Sequence, residues 1–113
     1  MPQFGIIVCS PAPADPMALT PEYLDSLNRY PSQVAQLGGT IVTGFAFQPS
    51  TTARAVRGES VTDGTVLGSD LVAAGYYVLE APDLTTAIRI AALNPATRDG
   101  GVEVHPLFEP PAE

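Results

Sequence analysis

The order in which strand and helix patterns recur constrains this chain more than any single motif: strand, helix, strand, then a hairpin, then strand, helix, strand. Residues 3–9 set Phe4, Ile6 and Val8 against Gly5, Ile7 and Cys9, a strand that is apolar or small on both faces. Thr20-Pro21-Glu22 opens a helix. Its hydroxyl caps free amides, its proline suits the first helical position, and its carboxylate meets the positive end of the dipole. Tyr23, Leu24, Leu27, Tyr30, Val34 and Leu37 follow at helical spacing up to the Gly38-Gly39 stop. Pro31 conflicts with that pattern, because an interior proline removes a backbone bond and crowds the preceding turn at ~3 kcal/mol. A kink or break is expected near residues 28–30.

Residues 40–47 form a second strand, and Gly58-Glu59 turns a short hairpin that carries Arg54 and Arg57. Asp63-Gly64 turns again, a loop runs to Ala74, and residues 76–80 give the next strand. Leu84, Ala87, Ile88, Ala91 and Ala92 make a helical stripe opened by Pro82 or Asp83 and ended by Asn94-Pro95. In the last strand Val102, Val104 and Pro106 alternate with Glu103, His105 and Leu107.

This order predicts an α+β, ferredoxin-like split βαβ fold: an antiparallel sheet of four or five strands with two helices on one face. It is a single domain over residues 2–108, with a proline-rich tail at 109–113. Two helices cover one sheet face only, yet the first two strands are apolar on both. A second copy across a two-fold axis is the simplest cover, so a homodimer is expected.

The net charge of −7 disfavours nucleic acid and anionic membrane surfaces. All five basic residues are arginines, which excludes a lysine Schiff base or a lysine-bearing phosphate loop. Cys9 is the only cysteine; it permits no intrachain disulfide, fits a reducing cytoplasm, and reads as a buried, inert thiol. The start of the chain has no secretory pattern, and no apolar run approaches the ~20 residues of a membrane span, so a soluble cytoplasmic protein is expected.

Val61-Thr-Asp63-Gly64, the loop that follows, and Ala74-Gly75-Tyr76-Tyr77 together resemble the YCII-related family, in particular its DGPF-type branch. The likeness continues through the Asn94-Pro95 helix end into Gly101-Val102-Glu103-Val104-His105-Pro106, and upstream it takes in Gly39 to Gly44. It implies a ferredoxin-like fold whose dimer forms an α/β barrel with a cleft between the sheets. There are departures. Thr65-Val66 replaces Pro-Phe, and Leu67-Gly68-Ser69-Asp70-Leu71 lacks the family's usual carboxylate and lysine. The first helix holds Asn28 near the place of a frequent histidine, and His105 stands for an arginine.

Candidate chemistry is sparse. His105 is the only histidine and shares a strand face with Glu103, so an acid–base pair is conceivable, with Asp63 as an alternative carboxylate. The plainer readings are a hydrogen-bonded residue near a strand end and an Asp-Gly turn former. Tyr76 and Tyr77 point to opposite faces, one toward the core and one toward the cleft, and Arg54 could clamp an anionic ligand. No ligand spacing supports a metal, and no glycine loop supports a nucleotide, so no cofactor is expected. The preferred function is a homodimeric accessory protein that binds a small molecule or a partner in its dimer cleft. The alternatives are a cofactor-free lyase, isomerase or hydrolase using His105, and, by likeness to relatives, a regulatory partner of a transcription factor.

Overall fold

The computed structural model describes residues 1–66 and 70–109. The rest of the expected tail, and part of the 67–71 run compared above with the family's acidic loop, lie outside the described residues. The chain runs β1 (Gln3–Pro11), α1 (Pro21–Gln36), β2 (Thr40–Ala46), β3 (Arg54–Arg57), β4 (Ser60–Asp63), β5 (Leu71–Glu80), α2 (Leu84–Ala91) and β6 (Gly101–Pro106). Four strands form an antiparallel sheet in the order β2-β5-β1-β6, and β3 pairs with β4 in a separate hairpin. Gly58 turns that hairpin at φ 62°, a conformation that costs a residue with a Cβ more than it costs glycine. Within the described residues, no helix is long and apolar enough to cross a membrane.

The helices start where their caps place them. The Thr20 hydroxyl accepts the Tyr23 amide at 3.2 Å, and Asp83 Oδ1 accepts the Thr86 amide at 2.7 Å. The latter bond holds the Asp83 carboxyl below the ordinary aspartate value.

β1 and β5 pair so that Phe4 meets Leu79 and Ile6 meets Tyr77, all four on one face of the sheet. Tyr30 and Val34 from α1, with Ala87 and Ile90 from α2, pack onto that face and complete the core. Both helices therefore cover the same side of the sheet. Ile6, Leu79, Ile90 and Val34 are fully enclosed, and each such side chain contributes roughly 1.5–3 kcal/mol by leaving water. The opposite face exposes an aromatic group, with Tyr76 centred 5.6 Å from Phe45 and 6.4 Å from Phe47.

Of the kink or break expected near residues 28–30, the break is not found: α1 is one helix from Pro21 to Gln36 with Pro31 inside it. Pro31 is exposed, so its ring displaces nothing from the core; its cost is confined to the Leu27 carbonyl, to which it has no N–H to give. β5 begins at Leu71, five residues before the expected strand, because Leu71, Val72 and Ala73 pair with Pro11, Ser10 and Cys9 of β1.

Candidate functional site

A cavity of about 800 Å³ opens between α1 and the sheet, within the range of small-molecule sites. The sequence makes this space by leaving side chains out. Gly44 pairs with Tyr77, and Ala46 pairs with Gly75, so the helix-facing positions at this end of β2 and β5 are glycine, alanine and glycine. Neither glycine can be enlarged without moving its neighbours. A Cβ on Gly44 would lie 2.6 Å from Tyr77 Cβ, and one on Gly75 would lie 2.5 Å from the Phe45 carbonyl oxygen. Above this floor, α1 contributes Tyr23, Leu27, Tyr30 and Pro31. The segment between β1 and α1 forms a side wall, pinned by two bonds between Ala14 and Ser50 at 3.0 and 3.1 Å.

The wall carries one buried polar network. Tyr30, Tyr77 and Asn94 are 4%, 8% and 6% exposed, which obliges their polar atoms to pair. The tyrosine hydroxyls lie 2.7 Å apart, Tyr30 reaches the Ile90 carbonyl at 3.2 Å, and Asn94 Nδ2 reaches the Tyr77 oxygen at 3.4 Å. Asn94 Oδ1 already accepts the Ala96 amide at 2.9 Å, which fixes the amide's orientation. One assignment of protons satisfies every contact: Asn94 donates to Tyr77, Tyr77 to Tyr30, and Tyr30 to the carbonyl at the end of α2. Burial pushes both phenols above the ordinary tyrosine value, Tyr30 most strongly, so both are neutral at physiological pH. Asp15 and Asp99 also line the cavity, and its lining includes no arginine or histidine. Tyr23 is likewise shifted upward, by burial first and by the Asp99 carboxylate second.

The residues singled out from sequence are dispersed. His105 and Glu103 do meet, Nε2 to Oε1 at 2.8 Å, but their side chains are 58% and 62% exposed on the edge strand β6. Neither lines the cavity. Asp63 lies on the hairpin, 3.3 Å from the Arg54 guanidinium, which also donates to the Ala53 carbonyl at 2.8 Å. Arg54 borders a separate cavity of about 340 Å³ beside Ser50 and Gly64. Of the paired tyrosines, Tyr77 enters the buried network and Tyr76 puts its ring among Phe45 and Phe47. Cys9 is half-buried rather than enclosed, and its thiol is raised by burial and then by the Glu103 carboxylate, which leaves it less reactive than a free cysteine.

Tyr30, Asn94, Asp15 and Asp99 were not singled out from sequence. The usable signal was glycine inside strands, at Gly44 and Gly75, which marks places where something approaches the backbone closely. In comparisons with known proteins, the YCII-related domain matches residues 8–110, nearly the whole chain. No curated protein matches it.

Proposed function

We propose, from the premise that this chain belongs to the YCII-related domain family, that it is a non-catalytic protein binding a small, largely apolar molecule. The observation that carries this is the cavity of about 800 Å³ under α1, with its glycine floor and its buried polar network. A cleft of this size with mostly apolar walls and a few convergent polar groups is the usual form of a small-molecule site. The sequence alone pointed to a cleft between two sheets; the site is better placed within one protomer, on the helix side. The strand order supports a ferredoxin-like arrangement, and the Thr62-Asp63-Gly64 and Gly75-Tyr76-Tyr77 motifs favour the DGPF-type branch.

The same reading pairs two chains through the open face of the sheet into an α/β barrel. Phe45, Phe47 and Tyr76 stand there 59%, 41% and 36% exposed, an aromatic group of the kind that interfaces favour. Phe45→Lys places a charge in that seam, and sedimentation should shift from dimer to monomer. A wild-type chain that sediments as a monomer at micromolar concentration contradicts the pairing.

Binding is tested with Nile red, a neutral apolar dye. It should bind the wild-type protein with enhanced emission, and Ala46→Leu, which pushes a larger side chain into the cavity from the floor, should weaken binding by roughly tenfold or more. Equal binding by both proteins would place the dye elsewhere and remove the support for this site. The acid–base alternative rests on His105 and Glu103. Both lie outside the cavity lining, so His105→Ala should leave dye binding unchanged.

A further inference from the structure

The lining of the cavity has a chemical polarity, which the proposal of a small-molecule site does not by itself use. Among the described residues, the carboxyl side chains of the lining are Asp15 and Asp99, and it holds no basic one. Asp15 uses one oxygen, Oδ1, to cap the short turn that follows it, at 2.9 Å from the Met17 amide, and keeps the other. Arg98 is the cation that acts on Tyr23; it is exposed, bonds Ser26 at 3.4 Å, and is not part of the lining.

The neutral groups favour the same kind of ligand. Tyr77 and Tyr30 spend their protons within the network, on each other and on the Ile90 carbonyl, so what these hydroxyls can still offer is lone pairs. These lone pairs stand beside the carboxylates, and aromatic faces are added by Tyr23 and Tyr30. An anionic ligand would meet two like charges there and no counter-charge. A ligand bearing hydrogen-bond donors and one positive charge would be matched by the carboxylates, the lone pairs and the ring faces together.

We infer that the cavity takes a compact apolar molecule bearing one protonated amine, with its hydrocarbon body against Leu27 and Pro31 and its ammonium paired with Asp15 or Asp99. This rests on the proposed small-molecule site and adds the class of ligand. The carboxylates supply the selectivity and the apolar wall supplies the attraction common to any ligand of that shape.

The test compares three molecules of one shape by titration calorimetry on the full chain: adamantylmethylamine as its hydrochloride, adamantylmethanol, and adamantaneacetate. The amine should bind roughly threefold to fivefold more tightly than the alcohol, as an ion pair with a solvent-accessible carboxylate implies, and the carboxylate should bind most weakly. The double variant Asp15→Asn, Asp99→Asn keeps the turn cap, since asparagine caps as well as aspartate. It should bring the amine down to the alcohol's affinity and leave the alcohol unchanged. If amine and alcohol bind wild type equally, if the carboxylate binds best, or if the double variant keeps the amine's advantage, the ligand class is overturned while the cavity remains a binding site. If none of the three binds and Nile red ignores Ala46→Leu, both readings fall.

Discussion

Tyr30→Phe deletes a single oxygen from the interior, and its cost can be worked from the contacts that oxygen makes. It is bonded to the Tyr77 hydroxyl at 2.7 Å and to the Ile90 carbonyl at 3.2 Å, in a residue 4% exposed. Each bond contributes about 1 kcal/mol net. The Ile90 carbonyl keeps the Leu93 amide at 3.0 Å, so it is not orphaned. The Tyr77 proton is stranded, but it borders the cavity, where water can take it, so the added penalty stays small. The phenyl ring remains, and with it the edge-on contact to Tyr77 at 6.0 Å. The expected loss is about 2 kcal/mol, which lowers the melting temperature of a domain this size by about 8 °C. Urea unfolding followed by circular dichroism measures it directly, with an unchanged slope as the sign that the transition is still two-state. Tyr77→Phe should cost a similar amount, and the pair of changes together should cost about 1 kcal/mol less than the sum, because the bond between the two hydroxyls is counted twice. A loss below about 0.5 kcal/mol with strictly additive changes would refute the proton assignment on which the donor-seeking character of the cavity depends.

Stability should fall at alkaline pH. Burial holds Tyr30 and Tyr77 above the ordinary phenol value, so the folded chain keeps protons that the unfolded chain releases. Their contribution is complete below pH ~10 and is lost as the pH rises through the folded values; urea midpoints should show the decline, and Tyr30→Phe should flatten it. Gly44→Ala should cost ~1–3 kcal/mol in chemical denaturation, since its Cβ would lie 2.6 Å from Tyr77 Cβ on a paired strand. His105→Ala should change stability by less than about 0.5 kcal/mol, because its side chain is 58% exposed and leaves only the Glu103 contact behind. A larger loss would show that the pair holds β6 to the sheet.

What could be read from the sequence was what depends on neighbours in the chain. The caps at Thr20 and Asp83, the helix stripes, and the meeting of Glu103 with His105 follow from spacings of two to four residues. The start of β5 did not follow, since Leu71 to Ala73 look like a loop of small residues until the end of β1 pairs with them. Nor did the cavity. Tyr30 and Tyr77 are 47 positions apart, and nothing local to either announces the other. The void itself is made by absent side chains at Gly44 and Gly75, which composition records only as two more glycines. Pro31 looked like a defect in a helix because its position over that void is a property of the tertiary structure.

The glycine floor also decides where change can enter. Any side chain added at Gly44 or Gly75 collides with Tyr77 or with the backbone at Phe45, so the sheet side of the cavity behaves as a fixed template. The opposite wall is built from Tyr23, Leu27 and Pro31 and from the segment before α1, whose side chains face open space and can be exchanged at little cost to the fold. A library restricted to Leu19, Tyr23 and Leu27 should therefore change what the protein holds while its melting temperature stays nearly constant. Substitutions at Gly44 and Gly75 should instead lower the melting temperature. Hydrocarbon shape in this scaffold is adjusted from α1 and the segment before it, while the sheet stays constant.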